Sequence, residues 1–298
     1  MSELKIALYG KRTTSTYLGD LIPMFLEKIR EKGILFQIEK DFYEVLKNIE
    51  NIDLEGVEIF STHDELWQDL DYFFTFGGDG TILSAVTFVH DSQVPIVGVN
   101  TGRLGYLASI HKNDLIPNLD AIFAKDYNIS ERSLLEVRRS DDVTLECPFA
   151  LNELSVMRKE TTSMISVDAY INGELLNSFW ADGLIIATPT GSTGYSLSCN
   201  GPIISPENSN FVITPIAPHN LNVRPIVIPD KEHLKLKVKS RVSHYSLSLD
   251  SRLVSLKTTT EIMVKRADFV VKIVELKHNS YLETLRQKLF WGVDNRNI

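Results

Sequence analysis

Cysteine is nearly absent from this 298-residue chain: there are two, Cys147 and Cys199. Thiols so placed make neither a metal-knuckle spacing nor a disulfide framework, and they fit a reducing compartment. Long apolar runs are missing too. The longest uncharged stretch, residues 183–206, is broken by glycine, proline and hydroxyl residues and does not span a bilayer as a helix. The opening residues, MSELKIALYG, lack a charged leader followed by an extended apolar core and a cleavage site. Positive charge is in deficit: Lys plus Arg number 31 against 39 Asp plus Glu, a formal charge of −8. That argues against a duplex-DNA binder and against an electrostatic membrane anchor. A hydrophobic share of 43% beside 23% charged residues excludes disordered and collagen-like classes. The expectation is a cytoplasmic, soluble protein, long enough for two domains, with no nucleic-acid and no membrane partner.

What is present divides into two textures. Residues 4–9 form a short apolar strand ending at Gly10, and residues 17–31 place Leu18, Leu21, Ile22, Phe25 and Ile29 at helical spacing before Gly33. Residues 71–76 predict a second strand, followed by a glycine loop and an apolar helix from Thr81 to about His90. Residues 94–99 predict a third strand. Such alternation indicates a parallel sheet covered on both faces. After about Lys125, short strand-like runs follow one another at 134–139, 151–157, 166–171, 184–188, 211–216, 234–238 and 245–249. Asn172-Gly173 is a two-residue hairpin signal. Residues 280–291 return to helical periodicity. The expected division is an α/β domain over 1–105, carrying the glycine loop and completed by a C-terminal helix within 280–298, and a mainly-β domain over 106–279.

The sharpest local signal is Phe76-Gly77-Gly78-Asp79-Gly80-Thr81, between strand and helix. Three glycines remove the side chains that keep a bulky anion away, and backbone N–H groups with a helix N-terminus behind them attract phosphate. A carboxylate inside such a nest repels phosphate unless a divalent metal intervenes or it takes a proton from an attacking hydroxyl. The loop is neither the G-x-G-x-x-G fingerprint nor a Walker motif, and in another setting it reads as a tight turn with Asp79 capping the helix. Two classes follow from the residues: phosphoryl transfer to a hydroxyl, or metal-assisted phosphate binding.

A second dense segment runs from Asp182 through Leu184-Ile185-Ile186-Ala187 into Thr188-Pro189-Thr190-Gly191-Ser192-Thr193-Gly194-Tyr195-Ser196. Its hydroxyls and amides suit sugar hydroxyls and phosphates, and Tyr195 can stack on a base or nicotinamide ring. A hydroxyl-rich loop with Tyr195 in the core is the equal alternative.

Together with the GGDGT loop this segment resembles the NAD kinase family. Five pieces occur in the family's order: residues 77–81; Asn100-Thr101-Gly102-Arg103-Leu104-Gly105-Tyr106-Leu107; Asn152-Glu153; Asp182-Gly183 through Ser198; and Pro218-His219 through Pro229. GGDGT alone is shared with diacylglycerol-type lipid kinases and phosphofructokinases; the combination is specific. The resemblance implies ATP-dependent phosphorylation of the adenosine ribose 2′-hydroxyl of NAD to give NADP, with Mg²⁺ or another divalent cation. It also implies a Rossmann-like N-terminal domain, a β-sandwich-like C-terminal domain, and a homodimer or homotetramer. Asp79 would be the general base. Gly77, Gly78 and Gly80 would admit the phosphates, with Thr81 opening the helix. Asn152 and Glu153 would hold the dinucleotide, Asp182 would lie near the nicotinamide end, Thr193, Gly194, Tyr195, Ser196, Leu197 and Ser198 would form the adenosine-side wall, and Trp180 and Thr190 are further binding candidates. The metal is expected to travel with ATP. A lipid kinase and a non-catalytic NADP(H)-binding sensor are the alternatives.

Several residues depart from the family pattern or act as decoys. Trp180 stands where many bacterial members carry a basic residue, and a packed tryptophan is expected there. Asn200 and Ser251 replace usual glycines. Lys11 and Arg12 follow the first strand as a solvated pair, and Arg138, Arg139 and Arg158 read as solvated-face charges. His219 reads as a structural loop histidine and Cys199 as a structural thiol.

Overall fold

The computed structural model describes residues 3–11, 19–50, 52–102, 105–159, 163–277 and 279–292. The chain forms two compact units: Met1–Glu131 with Val271–Ile298, and Arg132–Val270. Residues 106–131, expected with the second domain, lie in the first unit, because a short strand and a helix there pack on its sheet.

In the first unit the elements are β1 (Lys5–Gly10), α1 (Leu21–Glu31), β2 (Leu35–Glu39), α2 (Lys40–Leu46), β3 (Glu58–Phe60), β4 (Tyr72–Gly77), α3 (Asp79–Val89), β5 (Ile96–Asn100), β6 (Ile110–His111) and α4 (Lys112–Phe123). The strands pair in parallel in the order β3-β2-β1-β4-β5, with β6 beside β5. A parallel sheet buried on both faces needs nearly continuous apolar runs, and YFFTFG of β4 is buried at every position. One face packs Ile6, Leu8, Phe74, Phe76 and Val97 against α1, α2 and α4. On the other, Phe88 of α3 meets Tyr9, Phe60 and Phe73 at ring separations of 5.3, 5.5 and 6.3 Å. Chain order reverses between β1 and β4, so the carboxyl ends of these two strands flank the crevice where doubly wound sheets take ligands. The glycine loop lies at that end of β4.

The second unit is a sandwich. Its elements are β7 (Asn128–Arg139), β8 (Phe149–Ala150), β9 (Glu153–Arg158), β10 (Ile165–Ile171), β11 (Glu174–Ala181), β12 (Gly183–Ala187), α5 (Tyr195–Ser198), β13 (Asn210–Ile216), β14 (Ile226–Pro229), β15 (Leu234–Lys239), β16 (His244–Leu249), β17 (Arg252–Lys257) and the long β18 (Ile262–Glu275). One antiparallel sheet has the order β14-β13-β12-β9-β16-β17. Facing it, β11, β10, β15 and the first residues of β18 pair in sequence, and β7 pairs β18 and β8. Alternate residues interdigitate in a shared core: Leu154, Val156, Leu184, Ile186, Leu247 and Leu249 from the first sheet, Val167, Leu236, Val238 and Val264 from the second. The hairpin at Asn172-Gly173 has φ of 50° and 89°, both positive as a two-residue turn of this kind requires. Within the uncharged stretch of 183–206, β12 is buried: Ile185 and Ala187 join Ile204 and Val212 in a second cluster on the outer face of β12 and β13. The end of β18 belongs to the first unit, where Ile273 pairs in parallel with Ile96, and α6 (Tyr281–Leu289) follows it. Among the described residues no helix is long and apolar enough to cross a membrane.

Candidate nucleotide and phosphoryl-transfer site

In the first unit, α3 begins two residues earlier than its apolar pattern predicts. Gly78 is its N-cap and Asp79 its first residue, and the Thr81 N–H donates to Gly78 O at 2.9 Å. Asp79 does not cap this helix. Its carboxylate turns to the segment after β5, where Oδ2 accepts from Tyr106 N–H at 2.8 Å and Oδ1 from the N–H groups of Leu107 and Ala108, both at 3.0 Å. A carboxylate offers about four lone-pair sites. Oδ1 is saturated, and Oδ2 keeps one site for something else.

That grip requires a close approach. A Cβ on Gly105 would lie 1.8 Å from Asp79 Oδ1, so only glycine fits. Asn100, at the end of β5 and 1% exposed, shapes the segment by accepting from Gly102 N–H at 2.8 Å and donating to Ala108 O at 3.4 Å. Among the described residues, chain neighbours aside, nothing lies within 4 Å of a Cβ built on Gly78. Lys11 departs from the solvated-pair expectation: its Nζ donates to Gly80 O at 2.8 Å, which brings an ammonium to the glycine turn. Arg12 lies outside the described residues, as do Arg103 and Leu104.

In the second unit, Asn152 and Glu153 sit where the chain enters β9. Buried Thr188 holds this corner through its carbonyls, with Oγ1 donating to Leu151 O at 2.6 Å and its N–H to Asn152 O at 2.9 Å. Gly191 crosses so close that a Cβ would lie 2.0 Å from Asn152 O. The side chains are left unmatched: Asn152 Oδ1 and Glu153 Oε2 are buried and have no hydrogen-bond partner among the described residues. Burial, with Asp250 as a second negative neighbour, pushes the Glu153 carboxyl up to about 7, and the main-chain N–H of Tyr195 offsets part of this. Two buried acceptors at one corner without a partner among the described residues can take hydrogen-bond donors such as hydroxyl groups.

The other expected residues divide into supports and walls. Ser196 Oγ pairs with Thr214 Oγ1 at 2.8 Å in the core, and Thr193 Oγ1 donates to Thr190 O at 3.2 Å. Tyr195 is 38% exposed, its ring outside the core; Ser198 is exposed and Leu197 half-buried. Gly194 lies against the corner, 3.0 Å from Glu153 Oε2 for an added Cβ. Asp182 pairs with Arg158 at 3.0 Å, which makes Arg158 part of this cluster and not a solvated-face charge; Arg139, 13% exposed, likewise pairs with Asp141 at 2.6 Å. Trp180 is not packed. It is 55% exposed and tilts on the His219 ring at 5.3 Å, while His219 N–H donates to Trp180 O at 2.9 Å. Burial pushes the Cys199 thiol up. Sequence reasoning missed the amides of 106–108, which carry no side-chain signal.

Among the described residues no three His, Cys, Asp or Glu side chains group to hold a metal ion, and three of the lone pairs of Asp79 are already engaged.

A doubly wound parallel sheet with a glycine turn at its switch point, followed by a β-sandwich with a polar corner, defines a two-domain nucleotide-dependent phosphotransferase of the GGDG type. The comparisons narrow this. Residues 32–127 match the ATP-NAD kinase N-terminal domain and residues 151–276 the ATP-NAD kinase C-terminal domain. An NAD kinase of Christiangramia forsetii is 46% identical over 300 residues, 99% of this chain and 100% of the relative. One of Porphyromonas gingivalis is 43% identical over 288 residues, 97% of this chain and 98% of the relative. Among solved structures, yeast NADH kinase complexed with NADH superposes with a TM-score of 0.85 at 25% identity, covering 99% of this chain and 90% of that one. An NAD kinase from Archaeoglobus fulgidus in complex with ATP shares the fold, with a TM-score of 0.72 at 22% identity over 96% of this chain and 99% of that one. The chain belongs to the NAD kinase family.

Proposed function

We propose that the protein transfers the γ-phosphoryl group of ATP to the 2′-hydroxyl of the adenosine ribose of NAD, giving NADP and ADP. The observation that carries the mechanism is the state of Asp79: a carboxylate pinned by three amides with one lone pair of Oδ2 left over. An alcohol is a poor nucleophile and a carboxylate a weak base toward it, so proton transfer comes late. Before it, Oδ2 orients the hydroxyl in line with the γ-phosphorus, which is most of what a loose phosphoryl transfer requires. The new bond joins the 2′-oxygen to the γ-phosphorus as the bond to the β–γ bridging oxygen breaks, and the hydroxyl proton passes to Oδ2.

Gly77, Gly78 and Gly80 leave room for the phosphates, Thr81 opens α3 behind them, and Lys11 brings a positive charge to the same turn. Asn152 and Glu153 take the dinucleotide through its hydroxyls. Tyr195 supplies a ring face, with Thr190, Thr193, Gly194, Leu197 and Ser198 around it, and Asp182, held by Arg158, and Trp180 serve its nicotinamide end. Ser196 acts from the core as a support. ATP enters as its Mg²⁺ complex, the metal belonging to the substrate. The working form is a homo-oligomer, a dimer or tetramer, in the cytoplasm.

The test is to supply γ-labelled ATP with NAD, NADH or diacylglycerol as acceptor. Label on the dinucleotide, abolished by excess EDTA and restored by Mg²⁺, is expected. Label on diacylglycerol alone contradicts the reading; NADP(H) binding without transfer makes the protein a sensor.

A further inference from the structure

The turn between β16 and β17 is built around a buried acid that the reaction does not touch. Asp250 and Ser251 form a two-residue turn with φ of 46° and 73°, and Asp250 is 8% exposed. Its carboxylate accepts three consecutive main-chain N–H groups: Leu151 at 2.6 Å on Oδ2, Asn152 at 2.8 Å and Glu153 at 3.1 Å on Oδ1. Its own N–H donates to Glu153 O at 3.2 Å. Two residues on, the guanidinium of Arg252 fastens the same turn to the incoming chain, donating to Leu249 O at 3.0 Å, to Cys147 O at 2.9 Å and to Phe149 O.

Burial disfavours the charge on Asp250 and pushes its carboxyl up, and the three amides of 151–153 offset part of that. An asparagine does not replace it. One of its two terminal atoms is an NH₂, which would face an amide N–H instead of accepting from it. Thr188 holds the carbonyls of Leu151 and Asn152 from the other side. The main chain of the corner is thereby fully committed, and only the side chains of Asn152 and Glu153 remain unmatched.

We propose that Asp250 is a positioning residue for the dinucleotide: by gripping the amides of 151–153 it sets the direction in which Asn152 and Glu153 present their acceptors. The proposal rests on the reading that these two residues bind the substrate. Asp250 touches no reacting atom and acts through them.

The test uses the full chain with Asp250→Asn. The KM for NAD rises about tenfold or more while the KM for ATP stays within about twofold, and far-UV circular dichroism matches wild type. A parallel calorimetric titration with NAD and NADPH shows the same loss of affinity. In a Glu153→Gln background, Asp250→Asn costs several-fold less than it does alone, because the group it directs is gone. An unchanged KM for NAD, equal losses for both substrates, or full additivity overturns the proposal. Should Asp250→Asn not fold, Arg252→Lys keeps the carboxylate and loosens the turn from Cys147 and Phe149; the same split supports the proposal and its absence overturns it. If wild type binds dinucleotide without making NADP, the kinase reading fails while the calorimetric arm still decides on Asp250. If wild type binds no dinucleotide, both fall.

Discussion

Two acids serve this protein through opposite solutions to one problem. Asp79 is surrounded by donors and keeps a single lone pair, with which, as proposed, it first orients the hydroxyl and then takes its proton. Glu153 is short of donors, and burial beside Asp250 raises its carboxyl to about 7. If Glu153 holds the ribose hydroxyls as proposed, it does so in its ionised form, and dinucleotide binding then expels a proton whenever the free protein carries one. With a free value near 7, the carboxyl is mostly ionised at pH 8 and about one-tenth ionised at pH 6. Affinity for NAD therefore falls about tenfold between pH 8 and pH 6, and Glu153→Gln, weaker throughout, shows a flat profile over the same range. Calorimetry of NAD binding across this range checks it; a wild-type affinity that rises as pH falls contradicts it. The identity of both acids was legible in the sequence. Their partners were not, because the amides of Tyr106, Leu107 and Ala108 belong to every residue type and only folding aims them.

Elements were legible where their burial is uniform. Strands β1, β4, β5 and β12 are enclosed on both faces and show as apolar runs, while the hydroxyl-rich turn after β12 gave no sign of which hydroxyls face inward. Helices α2 and α4 escaped: the first has seven residues, and the second carries Pro117 inside it, a residue that removes a hydrogen bond and argues locally against a helix. Strand β18 hid its fourteen residues behind Lys265, Arg266, Asp268 and Lys272. In the β16–β17 turn Ser251 adopts a left-handed conformation at φ 73°. That conformation costs an L-residue about 1–2 kcal/mol, partly offset in a glycine variant by the greater freedom of the unfolded chain. Ser251→Gly is therefore expected to stabilise the protein by about 0.5–1 kcal/mol in urea unfolding, with m unchanged. A loss of stability contradicts this account of the turn.

At the scale of the whole molecule, the change of texture along the chain announced an α/β unit followed by a β-rich one, and the structure has both. Where they divide was less legible. Residues 106–131 lack the strand–helix rhythm of the first hundred, yet Ile110, Leu115, Leu119 and Ile122 pack on the first unit's sheet. The two units carry different tasks in this account: the glycine turn and Asp79 perform the transfer, and the polar corner with Tyr195 binds the dinucleotide. The most direct measurement of that division is Asp79→Asn beside wild type, with NADP formation followed under saturating NAD and MgATP and NAD affinity measured calorimetrically on the same samples. The account predicts that turnover falls by about 10²–10⁴-fold while NAD affinity stays within about threefold of wild type. Near-normal turnover in Asp79→Asn would remove Asp79 from the chemistry and contradict the central claim.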